Sequence, residues 1–504
     1  MPKFGTLPKG ETMASREVFA RAAPNGNTAP RTPTLVATPA GVIPPLPYQV
    51  AQGGFSLPML MATILVVLDF GRPFDEFLVG YHIPVVLCLL GGVFMLFTRW
   101  TPAFRTRIGK ALMLFTAMLC VSSLFSIWRA GSLTFLESFV EVDVILFFIL
   151  SAVPTTVGQV RWLAVAIIFS TSLLFIVGTM FDETGRLILK DFTVGNSDDV
   201  ALFAGFCIPL IILFAQRLNK VLGIVVAAAG IGGCLTAVEL SGTRFALVAL
   251  AVLGLFYFLR AGAAQKVVLL IFFTLVAIGS LALLPKHLIE RFSTIGSVVD
   301  DQAMAASGGK NEAIASSAAR KDLFFDGIHA FIKNPIVGVG PSQFINWRPL
   351  VLGKHGQPTH NTYVQVAAEE GIGGIVFYLA FLIAVFGALR RCLKPFEGWA
   401  DGRQLATALT GSLVYFVTSA ITLTCDLHVQ GYAIAGLAIA LDRIREQQLA
   451  GAELPVTEGT QNSAKLPPVS RPLVKPLPPR IDQASAPGRP IRYRFNRPVA
   501  SRND

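Results

Sequence analysis

The chain has 504 residues, of which 53% are hydrophobic and only 14% are charged, and its mean hydropathy is +0.61. Soluble domains contain about 25% charged residues, so this composition excludes an ordinary soluble protein. The apolar residues come in blocks of roughly 16–21, long enough to cross a bilayer as helices, and open strands are excluded because lipid cannot satisfy their backbone groups. The composition therefore predicts an all-α polytopic membrane protein.

Both ends of the chain are polar. Residues 1–54 are rich in Pro, Ala and Thr and lack the apolar region of a signal peptide. Residues 443–504 include the Pro- and Arg-rich stretches "KLPPVSRPLVKPLPPR" and "GRPIRYRFNRP". We expect both segments to be disordered cytoplasmic tails, since they offer little apolar surface to bury. The C-terminal tail suits either attraction to anionic lipid or binding of a cytoplasmic partner as a polyproline ligand.

Apolar blocks long enough to cross a bilayer as helices recur between the two tails. They predict nine transmembrane helices over residues 55–284, and a short surface helix with three more spans over residues 362–442. The predicted spans, about twelve, are 55–70, 78–98, 108–128, 135–153, 162–181, 199–216, 219–238, 242–259, 266–284, 371–389, 405–424 and 428–442. Residues 285–361 are left as one large loop.

The Lys and Arg residues of the short loops predict the orientation, because cytoplasmic loops carry an excess of them. One set of alternating loops carries thirteen such residues, and the opposite set carries five, namely Arg72, Arg129, Arg186, Lys190 and Arg244. The richer set and both termini are therefore predicted to be cytoplasmic. The large loop at 285–361 is then predicted to lie outside.

The outer loop contains a predicted amphipathic helix. In "RKDLFFDGIHAFIKNP", the apolar residues Leu323, Phe324, Ile328 and Phe331 recur at helical spacing. The pair Asn334-Pro335 is expected to end this helix, and "GVGPSQF" is typical of a turn. The loop is therefore predicted to be partly helical.

The stretch "HNTYVQVAAEEGIGG" follows the loop. Thr362 and Gln365 fit a capping box, and Gly371 suits the position after a helix end, so a short surface helix is predicted over 362–370. His360 lies just before it, where unpaired N–H groups favour a neutral imidazole able to accept a proton. The residues alone leave two readings open for His360, a catalytic base and a hydrogen-bonded loop residue.

Arg244 lies at the start of another span, in "ELSGTRFALVALAVLGLF". Ser241 is the predicted N-cap, so Arg244 falls in the first turn, where a cation opposes the helix dipole. Two compensating partners are open: Glu239, or a bound phosphate gripped by two parallel hydrogen bonds.

Asp198 and Asp199 begin a further span, and their simplest role is to complement the positive end of a helix. Arg186 precedes them in a predicted loop. The chain has no Gly-rich phosphate loop, no H-E-x-x-H and no G-x-S-x-G motif. Nucleotide-dependent chemistry and zinc hydrolysis are therefore poorly supported. An outer histidine with two arginines instead suits a metal-independent transfer from a phosphate-bearing donor.

Three stretches of the chain match motifs of a known family. "ARKDLFFDGIHAFIKNPIVGVGPSQF" followed by "HNTYVQVAAEEGIGG" is similar to the outer-loop motif, and "SGTR" is similar to a Ser-x-x-Arg at the start of a span. "GRLILKDFTVGNSDDVALFAGFCIPLII" is similar to an arginine, an Asn-containing turn and a span, with "GNSDD" in place of the more usual Asn-Pro-Asn-like turn. Over roughly residues 180–440, the chain thus resembles the O-antigen ligase and Wzy-type polymerase superfamily of bacterial envelope glycan enzymes.

The resemblance implies about twelve helices with a periplasmic loop over the active site, in a multi-pass protein of the bacterial inner membrane. It implies transfer of a glycan from undecaprenyl pyrophosphate to a sugar hydroxyl, with no cofactor. The expected partners are the donor, an acceptor glycan and the lipid bilayer. A chain-length regulator or synthesis complex is expected at the cytoplasmic tail, and nucleic acid is not an expected partner.

The resemblance also implies roles for single residues. His360 corresponds to the loop histidine and would activate the acceptor hydroxyl, while Arg244 and Arg186 correspond to arginines that face the donor phosphates. Ordering of the loop or contact with glycan is the expected role of three more residues, Arg320, Asn361 and Glu239.

The function stays open between two members of one class and one rival. We favour a polymerase that joins lipid-linked repeat units, because the Pro/Arg tail suits coupling to a synthesis apparatus. The alternative is a ligase that attaches finished glycan to lipid A core or to a protein. A transporter or flippase would instead require polar residues at mid-membrane and an inverted repeat, whereas the notable polar residues here cluster at the outer surface.

Overall fold

The computed structural model describes residues 56–71, 91, 93, 101–183, 185–189, 196–283, 312–425 and 428–453. These residues are mostly helical. The α-helices in chain order are α1 Leu57–Gly71, α2 Thr101–Arg105, α3 Arg107–Leu124, α4 Arg129–Ser138, α5 Ile145–Ala152, α6 Val157–Gly178, α7 Ser197–Ala215, α8 Lys220–Ser241, α9 Arg244–Arg260, α10 Ala263–Leu283, α11 Glu312–Lys333, α12 Phe344–Leu352, α13 Thr362–Cys392, α14 Ala400–Ser419 and α15 Val429–Glu453. A π-helical segment, Phe139–Val144, connects α4 to α5.

Membrane-spanning character is clearest in α3, α6, α7, α8 and α13, the described helices that are long and apolar enough to cross a membrane. Each predicted span except 78–98 overlaps a described helix. The helical, polytopic membrane architecture is therefore supported, while the count of twelve spans stays a prediction. Span 78–98, the tail at 1–54 and residues 454–504 lie almost wholly outside the described residues.

Helix α7 lies at the centre of the helices, with 89% of its apolar window buried. It packs against α6, α8 and α14. Two buried side chains of α14 donate hydrogen bonds to its backbone carbonyls, Ser412 Oγ to Phe206 at 2.8 Å and Tyr415 OH to Ala201 at 2.8 Å. These bonds satisfy polar groups where water is absent, so they fix α14 against α7.

The two ends of α7 carry separate clusters of charge. Beyond its C-terminus, the Asp401 carboxylate pairs with Arg217 and lies 3.5 Å from Arg161. At its N-terminus, Asp198 pairs with arginines of other segments. A helix rises 1.5 Å per residue, so these clusters are about 28 Å apart along α7. Arginines that the sequence assigns to opposite loop sets, Arg161 and Arg217 against Arg186, thus lie at opposite ends of one helix.

A hairpin interrupts the predicted all-α architecture. Strands β1 (Thr179–Phe181) and β2 (Leu187–Leu189) pair antiparallel, with Met180 opposite Ile188. The turn between them is closed by Asp182 and by Gly185, whose φ is +75°. The hairpin follows the end of α6, and its two strands satisfy each other's backbone hydrogen-bonding groups. This pair of strands departs from the purely helical prediction.

The outer loop is held against the start of α13 by backbone hydrogen bonds. Val339 N–H donates to the Ala368 carbonyl, Gly340 N–H to the Glu369 carbonyl, and Ile372 N–H to the Pro335 carbonyl. Gly371 makes this approach possible: its φ is +69°, and a Cβ there would lie 2.5 Å from the Ile336 carbonyl oxygen. The predicted break at Gly371 is present, although the helix resumes beyond it to Cys392.

Two predicted helix starts need correction. Asn361, not Thr362, is the N-cap of α13, since its Oδ1 accepts from Val364 N–H at 3.0 Å. Ser241 is the last residue of α8 rather than the N-cap of the next span. That N-cap is Thr243. In both cases a neighbouring polar residue has the extended backbone that a cap requires.

The last helix is longer than expected. Helix α15 runs to Glu453, beyond residue 442, where the C-terminal tail was predicted to begin. Its final turns include "REQQLAGAE", in which Arg, Glu, Gln, Leu and Ala are good helix formers that continue the helix beyond the apolar block.

Candidate active site

Asp198, in the first turn of α7, is where three distant segments of the chain meet. Its Oδ2 accepts a hydrogen bond from Arg320 Nη2 at 2.6 Å, and its Oδ1 accepts one from Thr243 Oγ1 at 2.8 Å. Arg186 Nη2 lies 3.7 Å from the same Oδ1. The Asp198 side chain is 9% exposed, so the two guanidinium groups converge on a buried carboxylate. We call Asp198, Arg186, Arg320 and Thr243 the carboxylate cluster.

Arg320 reaches the cluster from α11, the helix of the outer loop. Its Nη1 lies 3.5 Å from the Thr422 carbonyl oxygen, and its guanidinium carbon lies 5.9 Å above the Phe245 ring. A planar guanidinium can bind a carboxylate and lie over an aromatic face at the same time. Arg320 thus links the outer loop to α7, to α9 and to the segment after α14.

Arg186 reaches the cluster from the hairpin. Asp182 Oδ1 accepts from the Arg186 backbone N–H at 2.8 Å, which sets the direction in which the side chain leaves the turn. The side-chain Nε then donates to the Ser241 carbonyl at 2.8 Å. The hairpin therefore holds Arg186 beside the junction of α8 and α9.

His360 lies beside the cluster with an unusual backbone conformation. Its φ is +53°, in the left-handed region that non-glycine residues rarely adopt. Such conformations cost about 1–3 kcal/mol and persist where the surrounding structure enforces them, often at functional sites. The Nδ1 atom of His360 is buried and has no hydrogen-bond partner in the part of the chain that the structure describes.

The imidazole of His360 is held in its neutral form. Burial and the positive charge of Arg320 lower the pKa of His360 below its ordinary 6.5, while the Asp198 carboxylate partly opposes this shift. The charges of Arg320 and Asp198 therefore both affect the pKa of the His360 ring. A neutral imidazole with an available nitrogen can accept a proton at neutral pH.

The backbone around His360 is fixed by neighbouring side chains. Asn361 Nδ2 donates to the Ile421 carbonyl at 2.7 Å, and Thr362 Oγ1 donates to the Leu423 carbonyl at 2.6 Å. On the other side, the Thr359 N–H donates to Gln365 Oε1 at 2.8 Å. The predicted role of Asn361 in ordering the loop fits these bonds, which attach the histidine segment to residues 421–423.

Arg244 and Glu239 lie close to the cluster along the chain. Arg244 is the first residue of α9, between Thr243, which binds Asp198, and Phe245, which underlies Arg320. Glu239 is in the last turn of α8, where its carbonyl accepts from Gly242 N–H at 3.0 Å. Its place between Thr243 and Phe245 puts Arg244 at the same end of α9 as the carboxylate cluster.

A small recess, open on one side, begins at the carboxylate cluster. It lies between α7, α9 and α14. Its polar lining comprises Asp198, Thr243, Tyr415, Ser419 and Thr422, and its apolar lining comprises Ala201, Leu202, Ala246 and Leu423. The recess therefore has polar groups beside Asp198 and small apolar side chains elsewhere. Among the described residues, no three His, Cys, Asp or Glu side chains gather as metal ligands.

Sequence reasoning overlooked the part that Asp198 and Thr243 have in this arrangement. It assigned both aspartates to the helix start, but the capping box uses Asp199 alone: Asn196 Oδ1 accepts from Asp199 N–H at 2.9 Å, and the Asn196 N–H points back to Asp199 Oδ2 at 3.4 Å. The available signal in the sequence was Asp198 itself, a second acidic residue at a helix start where the capping box needs only Asp199. Asp199 also lies 3.4 Å from His428 Nε2.

A sequence model of the family described as O-antigen ligase matches residues 229–379. The matched region runs from α8 through the outer loop to α13, and it contains Arg244, Arg320 and His360. Arg186 and Asp198 lie before it. Among curated proteins, none matches the chain.

Proposed function

Since the match at residues 229–379 supports assignment of this chain to the O-antigen ligase and Wzy-type polymerase superfamily, we propose that the protein transfers a glycan from undecaprenyl pyrophosphate to an acceptor sugar hydroxyl. A glycan-transfer role in a bacterial membrane is what the match and the apolar helices support. The identity of the donor and acceptor, the inner membrane and the periplasmic position of the site belong to the proposal.

The observation that carries the proposal is the position of His360 beside the carboxylate cluster. A half-buried imidazole, whose Nδ1 has no hydrogen-bond partner among the described residues, lies beside the Arg320 guanidinium and the Asp198 carboxylate, and its lowered pKa favours the neutral form. This combination suits a reaction in which one substrate loses a proton while another releases an anion. Glycosyl transfer from a lipid pyrophosphate is such a reaction.

In the proposed reaction, His360 accepts the proton of the acceptor hydroxyl. The acceptor oxygen bonds to the anomeric carbon of the donor, and the bond from that carbon to the pyrophosphate oxygen breaks. The electron pair leaves with undecaprenyl pyrophosphate. Groups that stabilise this developing negative charge lower the barrier.

Arg186 and Arg244 are the proposed ligands of the pyrophosphate. Guanidinium groups bind phosphate oxygens through two parallel hydrogen bonds, and both residues come from segments that border the cluster at the outer end of α7 and α9. Arg320 and Asn361 are proposed to order the loop, and Glu239 to contact the glycan or balance Arg244. No metal is required, because the arginines supply the positive charge.

Within this class we favour a polymerase of exported polysaccharide repeat units. The Pro/Arg-rich composition beyond α15 suits binding to a chain-length regulator or synthesis complex in the cytoplasm. The ligase alternative has its own support, since the matched family is described as O-antigen ligase.

Turnover by purified protein tests the proposal. The protein is reconstituted in lipid nanodiscs with EDTA and given the lipid-linked glycan pool extracted from the source bacterium. A ladder of longer glycans on lipid is expected from a polymerase, and transfer only to an added lipid A core acceptor from a ligase. Loss of turnover in EDTA contradicts the metal-free mechanism, and movement of lipid-linked glycan across the bilayer without bond formation indicates a flippase.

A further inference from the structure

We propose that Asp198 is a positioning residue of this site, whose carboxylate sets the orientation of Arg320 and Arg186 toward the donor phosphates and toward His360. The inference rests on the proposed function. It assigns to Asp198 a role distinct from that of Asp199, the residue that caps α7. It also assigns to Thr243 the role of holding the carboxylate in place.

The contacts of Asp198 argue for this role because they come from three segments that are distant from one another in the sequence. Arg320 is on the outer-loop helix α11, Arg186 is on the hairpin, and Thr243 begins α9. Asp198 hydrogen-bonds Arg320 and Thr243, and it attracts Arg186 across 3.7 Å without a hydrogen bond of normal length. One carboxylate thus locates both guanidinium groups relative to α7.

The helix itself does not require Asp198. The capping box of α7 is completed by Asn196 and Asp199, so Asp198 is surplus as a cap. Buried ion pairs also do not generally add net stability, because removing both charges from water costs much of the free energy that their mutual attraction provides. A buried carboxylate bridging two arginines is better explained by the geometry it imposes.

Thr243 gives a second, independent observation. Threonine at an N-cap ordinarily uses its side-chain oxygen to accept a backbone N–H of its own helix. Thr243 is the N-cap of α9, yet its side chain makes no capping bond. Its hydroxyl is directed instead to Asp198 Oδ1 at 2.8 Å and to the Ser197 carbonyl at 3.3 Å. The Thr243 hydroxyl thus binds the Asp198 carboxylate instead of capping α9.

The proposed role predicts a separation of kinetic constants. In Asp198→Asn the positive charge near the donor site increases, so attraction of the donor is kept or strengthened. However, Arg186 and Arg320 lose the carboxylate that fixes their positions, and a misplacement of about 1 Å can cost about 100-fold in rate. We therefore expect kcat to fall about 100-fold, with a KM for the extracted lipid-linked glycan that is unchanged or lower.

The pH dependence of kcat/KM in Asp198→Asn is a readout that a general structural defect would not shift. His360 faces Arg320 on α11 and Asp198 on α7, and Arg186 approaches Asp198 from the hairpin. The Asp198 charge opposes the depression of the His360 pKa, so its removal lowers that pKa further. The acid limb of kcat/KM is expected to move to lower pH in Asp198→Asn.

Asp401→Asn is the matched control. Asp401 also lies between two arginines, Arg161 and Arg217, but beyond the opposite end of α7. This variant also loses two charge contacts, from a carboxylate whose side chain is 53% exposed rather than 9%, and is expected to keep wild-type kcat, KM and pH profile. An equal loss of kcat in both variants overturns the inference, as does a raised KM or full activity in Asp198→Asn.

Two further variants keep the test decisive. If Asp198→Asn does not accumulate in membranes, Thr243→Val removes one hydrogen bond to the carboxylate at constant charge, and Thr243→Ser restores it. We expect about a tenfold lower kcat in the first variant and recovery in the second, and equal activity in both overturns the inference. His360→Asn tests the proposed function separately: if it is inactive while Asp198→Asn is normal, only the role of Asp198 fails.

Discussion

Arg320 and Asp198 lie 122 residues apart in the chain and meet through a hydrogen-bonded ion pair of 2.6 Å. The pair joins the outer-loop helix α11 to the first turn of α7, the most buried of the candidate membrane spans. It therefore connects the outer loop to the membrane helices by charge.

Replacement of Arg320 tests this connection. In Arg320→Ala the Asp198 carboxylate loses its shortest hydrogen bond and Phe245 loses its guanidinium neighbour, so we expect at least a tenfold loss of glycan transfer. Arg320→Lys keeps the charge but not the planar fork, and its activity is expected to be intermediate. Turnover of extracted lipid-linked glycan in nanodiscs is the measurement. Wild-type activity in Arg320→Ala would contradict a role for this pair.

His360→Asn tests the proposed base without adding backbone strain. Asparagine tolerates positive φ better than most residues, so the variant is expected to fold with a melting temperature near that of the wild type. Without an imidazole to accept the hydroxyl proton, turnover is expected to fall by about 100-fold or more, the scale of general-base catalysis. Retention of turnover in a correctly inserted variant would exclude His360 as the base.

The pH dependence of turnover follows from the lowered pKa of His360. A base works when unprotonated, so kcat/KM is expected to be level at neutral pH and to fall only below 6.5, the ordinary pKa of histidine. Stability has the same sign. The unfolded chain takes up this proton first as pH falls, which disfavours the folded state below 6.5. An acid limb above 6.5 would contradict the depressed pKa.

Gly371→Ala is expected to loosen the outer loop. Gly371 has a φ of +69° and a ψ of −161°, a conformation that essentially only glycine adopts and that costs other residues about 1–3 kcal/mol, and the new Cβ would also lie 2.5 Å from the Ile336 carbonyl oxygen. Gly353→Ala is the control, because Gly353 also has a positive φ, +64° with a ψ of 18°, but no neighbouring atom within 4 Å of a Cβ. Thermal unfolding should show a larger drop in melting temperature for Gly371→Ala. Equal drops would mean that contact with the turn is unimportant.

Asp326 is expected to make the outer loop sensitive to acid. Burial alone would raise the pKa of Asp326, but hydrogen bonds from Arg348 and Lys354 outweigh it and lower that pKa below 3.8. The stabilisation is therefore complete above 3.8 and is lost as pH falls through the lower, folded-state value. Asp326→Asn removes it at every pH. Limited proteolysis of the loop should be faster in this variant than in Asp322→Asn, an exposed control on the same helix.

The sequence allowed prediction of features that depend on local chemistry. Apolar length predicted the helices, the left-handed preference of glycine predicted the break at Gly371, and Asn334-Pro335 marked the end of α11. The helix caps were harder, because "HNT" and "SGT" each contain adjacent polar residues that can cap a helix. Only the backbone conformation decides for Asn361 and Thr243.

The meeting of Asp198 with Arg186 and Arg320 could not be predicted. No local rule relates residues 122 positions apart, and one sequence contains no record of which side chains face each other. The signal that was visible, an aspartate beside another that already caps the helix, has an ordinary explanation in a favourable helix dipole. The hairpin likewise could not be predicted, because the pairing of two short strands across a turn leaves no signal in the apolar periodicity.

His360 and Arg320 share one support, the short segment after α14. Asn361 and Thr362, which follow His360, donate to the carbonyls of Ile421 and Leu423, and Arg320 Nη1 lies 3.5 Å from the carbonyl oxygen of Thr422 between them. Consecutive carbonyl groups of one turn therefore contribute to the spacing between the proposed base and its neighbouring cation. Substitutions that reshape this turn would displace both groups together, whereas loss of the Arg320 side chain would leave the histidine segment attached.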